Sequence, residues 1–182
     1  DCFGSLKTKT DCFIRKGVKK SKNDSIIHSV MEIFKINDKK EFRKVLQKLT
    51  FVQYLALDNG KISKAFMNIG KDPFSIQLEK EMKKNKIPPT IRNMHIYLSM
   101  KKYIDYILTD DMTVNKSPEY IIPLFYSLFK VNIIIWEKNS DDSVYMICNS
   151  NVFTKTKQNT KFAMIIKEGE YYQKLKANLN DV

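Results

Sequence analysis

The chain has 182 residues, 43% hydrophobic and 29% charged, which suits one packed domain and excludes a disordered chain. The longest apolar runs, 133–136 and 120–129, fall well short of the roughly 18 residues a membrane-crossing helix needs. The net charge is +12, carried by 29 Lys and only 3 Arg (Arg15, Arg43, Arg92), a balance that argues against sequence-specific base reading and leaves salt-sensitive backbone binding.

In chain order, residues 1–22 read as a basic lead-in of local charge +5, with a short strand over 12–15. Asn23-Asp24-Ser25 is a helix start, because an Asp or Ser side chain at the N-cap takes up orphan backbone N–H groups. Apolar residues at 26, 27, 30, 33 and 34 give the helical period that follows. Asn37-Asp38 caps a second helix, with Phe42, Val45, Leu46, Leu49, Val52 and Leu55 as one apolar stripe and Lys39, Lys40, Arg43, Lys44 and Lys48 toward solvent.

Asp58-Asn59-Gly60 is a turn, a short helix covers 61–68, and Asp72-Pro73 starts another that runs to the lysine cluster at 83–86. A long helix follows from Thr90 to Leu108, with Met94, Leu98, Ile104, Ile107 and Leu108 on its core face, then a polar loop over 110–117. Ser117-Pro118-Glu119 opens a helix ending near Lys130.

Past this point the β-branched run 131–136 reads as a buried strand, with 143–148 as its partner across a turn. Residues 162–166 and 171–175 are two further strands joined by Glu168-Gly169-Glu170. The predicted architecture is α/β (α+β): helices in the first two thirds and a sheet of about four strands in the last third. Residues 23–176 form a single domain and 177–182 a frayed tail. The initial Asp suggests a piece of a longer polypeptide.

Cys2, Cys12 and Cys148 form neither a CxxC pair nor an even set, so reduced cysteines in an intracellular protein are expected. No phosphate-binding glycine loop and no HExxH motif occurs, and neither a metal nor a cofactor is expected. Asp110-Asp111 and Asp141-Asp142 read as solvated turns before they read as cation sites. His95, in the long helix, reads as structural.

Three segments taken in order resemble the ovarian-tumour (OTU) family of cysteine proteases. The family motif Asp-Gly-Asn-Cys-Leu-Phe-His-Ser-Ile is matched by Lys22-Asn23-Asp24-Ser25-Ile26-Ile27-His28-Ser29-Val30. A helix over 119–130 leads into Val131-Asn132-Ile133-Ile134-Ile135-Trp136. The terminal hairpin is 162–166, a glycine turn, then Tyr171-Tyr172 where the family has His-Tyr. The Lys/Ile/Asn-rich composition is also similar to that of domains inside large proteins of large DNA viruses.

The resemblance implies an OTU-like domain with Ser25 at the nucleophile position, Tyr171 at that of the histidine and Lys22 at that of the motif's aspartate. A serine hydroxyl needs a general base that a tyrosine does not supply near neutral pH. The reading is therefore a pseudoenzyme, not an enzyme, serving as a protein-interaction or structural module of a larger polypeptide. Its binding groove is expected to involve Asn23, Asp24, His28, Trp136 and Tyr172, and its partner to be ubiquitin-like or another part of the parent chain. A Ser25–His28 dyad at i, i+3 is the residual catalytic alternative, with Ser25 or Asp24 as a helix cap and His28 as a core residue on the other side.

A second functional reading is a basic nucleic-acid-binding module of a viral replication or transcription protein. Its support is the charge gathered in 1–22, 39–48 and 80–86; a lysine-rich composition from A/T-rich codons is the competing source of that charge. The aromatics Tyr97, Tyr103, Tyr106, Tyr120, Phe125, Tyr126 and Phe129 fall at core spacing, whereas Tyr145, Phe153, Tyr171 and Tyr172 are placed to stack bases or grip a peptide. No membrane partner is expected.

Overall fold

A β-branched segment flanked by turn residues pairs into a sheet, and the helical segments around it each hide one apolar face. A computed structural model describes residues 12–16, 24–67, 73–109, 116–147 and 161–178. The elements are β1 (Cys12–Lys16), α1 (Ser25–Ile33), α2 (Lys39–Leu46), α3 (Phe51–Ala56), a 3-10 turn (Leu57–Gly60), α4 (Lys61–Ala65), α5 (Ile76–Lys84), α6 (Ile91–Leu108), α7 (Pro118–Phe129), β2 (Val131–Lys138), β3 (Val144–Ile147), β4 (Lys161–Glu168) and β5 (Tyr171–Asn178). The fold is mixed α/β, and the chain divides into two units, residues 1–42 with 110–182, and residues 43–109.

The first unit holds one sheet of order β1-β5-β4-β2-β3. β2 and β4 run parallel, Ile135 opposite Ile165, and the other pairs are antiparallel. Ile133, Ile135, Ile165 and Ile166 are buried, as a strand covered on both faces requires. The strand expected over 12–15 is β1, which joins β5 at the sheet edge and brings the strands to five. Phe34, Phe42, Phe125 and Phe129 stack nearly parallel, with ring centroids 4.0 to 5.9 Å apart, and lock α1, α2 and α7 together.

The second unit is helical. Leu78 and Met82 of α5 pack with Ile87 and Met94, while Tyr54 of α3 meets Ser99 of α6 in a buried 2.9 Å hydrogen bond. Burial pushes the Tyr54 phenol up to about 12, so it stays protonated. Tyr103 is fully buried against Tyr54 and Phe66, a core role in line with its helical spacing.

Three expectations are corrected here. The apolar stripe over 39–55 is not one helix: α2 ends at Leu46, and α3 restarts behind a capping box in which Thr50 and Gln53 bond reciprocally. Val52 therefore turns out to solvent at 73% exposure. α5 starts at Ile76, because Ser75 caps it through Leu78 N–H and Pro73 is buried ahead of it. The Asp24 carboxylate makes no cap bond to α1, because two lysines claim it.

Candidate functional site at the start of α1

α1 packs against β5, and the contact is built from two hydroxyls. Tyr172 N–H donates to Ser25 Oγ at 3.1 Å, and Ser29 Oγ donates to the Tyr172 carbonyl at 3.0 Å. In an antiparallel ladder alternate residues turn both backbone groups away from their partner strand. β1 pairs β5 only from Lys174 onward, so Tyr172 lies past the end of that ladder. Serines at i and i+4 of one helix stand one turn apart on one face, which lets them take both groups of a single residue. Ser25 and Ser29 are 1% and 0% exposed, so neither Tyr172 group is left unpaired in the interior.

Asp24, just before this helix, binds Lys116 Nζ at 2.7 Å and Lys39 Nζ at 3.1 Å. The Lys116 side chain is fully buried. Burial alone raises the Asp24 carboxyl, but the two ammonium groups outweigh it and hold it below the ordinary aspartate value. Burial pulls the Lys116 ammonium below its ordinary value; Asp24 offsets this in part, and the nearby Lys39 charge adds to it. The carboxylate also sits where the α1 dipole favours negative charge.

Around the hairpin, Tyr172, Lys167, Glu137 and Tyr145 align in one row across four strands. Lys167 Nζ donates to Glu137 at 2.6 Å and Tyr145 Oη donates to it at 2.8 Å, so the Lys167 ammonium foremost holds the Glu137 carboxyl low. Burial, with Glu137 adding to it, pushes the Tyr172 phenol up to about 12. Tyr171, in the next row, is 45% exposed.

Of the residues named from sequence, Ser25, Asp24 and Tyr172 come together at the α1–β5 junction. His28 is half-buried one turn into α1. Trp136 is half-buried two strands from β5, in register with Ile166 and Met146, and strand alternation puts its side chain on the sheet face opposite that of Tyr172. Lys22 and Asn23 lie outside the described residues, as do Asp110, Asp111, Phe153, Cys2 and Cys148. Asp142 pairs with Lys138 at 2.7 Å and Asp141 accepts from Ser143, which commits that turn to internal bonds. His95 is half-buried in α6. Among the described residues no three His, Cys, Asp or Glu side chains converge as a metal site, and no helix is long and apolar enough to cross a membrane.

Sequence reasoning missed Ser29, Lys39 and Lys116. The i, i+4 spacing of Ser25 and Ser29 was a readable signal for the first. Nothing local marked Lys116, which stands in a polar stretch 92 residues from its partner Asp24.

No family model and no curated protein matches the chain. Among solved structures, the crystal structure of the viral OTU domain protease from Farallon virus is similar to it, at 17% identity and a TM-score of 0.48, over 91% of this chain and 84% of that one. The expectation that the chain is not an enzyme is corrected at this point: the structure it is similar to is titled a protease, and replaced motif residues do not by themselves establish an inactive site.

Proposed function

We propose that the chain is a protein-interaction module of a larger viral polypeptide, OTU-like in fold, that holds a segment of its partner beside the junction of α1 and β5. The observation that carries this reading is the double hydroxyl clamp on Tyr172, which fixes the hairpin to α1 and leaves Tyr171 beside it 45% exposed. An aromatic side chain on a rigid support loses little entropy when a partner covers it, and such residues dominate binding energy. The partner is a ubiquitin-like protein or another part of the same polypeptide.

The test is isothermal titration of the chain with ubiquitin and with the neighbouring segments of its polypeptide. Tyr171→Ala is expected to weaken the complex about 30-fold, the size of an interface hot spot. Binding that this change leaves untouched, or none to either class of partner, contradicts the reading.

A second reading, nucleic-acid binding, is favoured by one observation: the exposed cations of α2 have no carboxylate partner among the described residues.

A further inference from the structure

We propose that the solvent face of α2 is a binding site for the phosphate backbone of a nucleic acid, engaged without regard to base sequence. The proposal rests on the second reading above and names its site. Lys40, Arg43 and Lys44 are exposed on α2, and exposed Lys48 follows in the turn that continues it, where its N–H still bonds back to Val45. Residues four apart on a helix are neighbours, rising about 6 Å per step, so Lys40, Lys44 and Lys48 form one row with Arg43 alongside.

Like charges at this spacing repel, and a helix usually relieves that with interleaved carboxylates. Elsewhere in residues 43–109 some lysines are relieved this way: Lys83 pairs with Glu79 at 2.5 Å, Lys61 with Asp58 at 3.8 Å, and Lys101 with Glu81. On α2 the acidic residue is Glu41, and its carboxylate is taken by the backbone and side-chain amides of Asn37 at 2.9 and 3.3 Å. α5 interleaves Glu79 and Glu81 with its lysines, whereas among the described residues the exposed row on α2 carries no carboxylate turned toward it.

The face is polar throughout. Phe42 and Leu46, the large apolar residues of α2, are each 1% exposed, and Gln47 extends the exposed surface. A helix that lies in a membrane interface needs an exposed apolar side to bury, and α2 has none. A polyanion in water is the remaining complement, and lysine point charges with one arginine suit phosphates better than base edges.

The experiment is fluorescence anisotropy with labelled single-stranded and duplex DNA of mixed sequence, from 50 to 200 mM salt. Arg43→Gln/Lys44→Gln/Lys48→Gln is compared with Lys80→Gln/Lys84→Gln/Lys86→Gln, which removes the same charge from exposed positions on and after α5. The α2 variant is expected to bind at least about tenfold more weakly and to flatten the slope of log affinity against log salt by about 2 to 3, since each phosphate contact contributes roughly 0.7–0.9. The α5 variant is expected to change affinity less than about threefold, and circular dichroism checks that both fold. Equal losses in the two variants overturn the α2 site and leave nucleic-acid binding by net charge standing. No binding by the unaltered chain at about 10 μM, or binding to anionic vesicles instead, overturns the site and the second reading together.

Discussion

Replacing Asp24 with Ala is expected to cost about 3–5 kcal/mol of stability, the range for removing one partner of a buried ion pair. The carboxylate faces two ammonium groups, and the Lys116 side chain is fully buried. Without Asp24 that charge has lost its carboxylate in a place water does not reach, beside a second cation. Asp24→Ala with Lys116→Met is expected to recover most of the loss, because an apolar chain of similar length removes the stranded charge. Chemical denaturation of the two variants checks this, and a double variant no more stable than the single one contradicts it.

The same pair sets the response to acid. Asp24 in the folded chain releases its proton more readily than at the ordinary value of 3.8. The stability it gives is complete above that value and drains away as pH falls through the lower native value. In Asp24→Asn this part of the acid transition, below about pH 4, is expected to shrink. Lys116 acts with the opposite charge but the same slope: its native value lies below the ordinary 10.5, so between the two the unfolded chain holds more protons and stability rises with pH.

Ser25→Ala with Ser29→Ala is expected to cost about 2–5 kcal/mol, since the two buried hydroxyls answer the N–H and the C=O of half-buried Tyr172 and each orphaned group carries roughly 1–3. The single changes are expected to sum to something other than the double, because both act on Tyr172. Ser25→Ala exposes the Tyr172 amide to exchange, and Ser29→Ala leaves that amide bonded, so hydrogen exchange at this one position separates them. An amide that stays protected in Ser25→Ala contradicts the clamp.

Much of this fold was readable from local signals. Thr90 and Ser117-Pro118 mark the starts of α6 and α7 where the structure has them, and the β-branched run from Val131 is β2. The break between α2 and α3 was hidden because Leu49, Val52 and Leu55 continue the helical period across it; the Thr50–Gln53 spacing was the available warning. The parallel pairing of β2 with β4 was not legible, since partners such as Val131 and Lys161 stand 30 residues apart and no local residue specifies the crossover. At the site, the meeting of Ser25 with the hairpin came from the order of the resembling segments, not from periodicity. The Lys116 contact depends on tertiary burial and leaves no local trace.

The proposed surface for a protein partner is the hairpin fixed to α1. It is tested by a ¹H–¹⁵N titration of the labelled chain with ubiquitin and, separately, with segments of the proposed parent polypeptide. Saturable shifts are expected at Gly169, Tyr171, Tyr172 and the first turn of α1 with one of them. Shifts confined to other elements, or none at the hairpin with any of these partners, would contradict the claim.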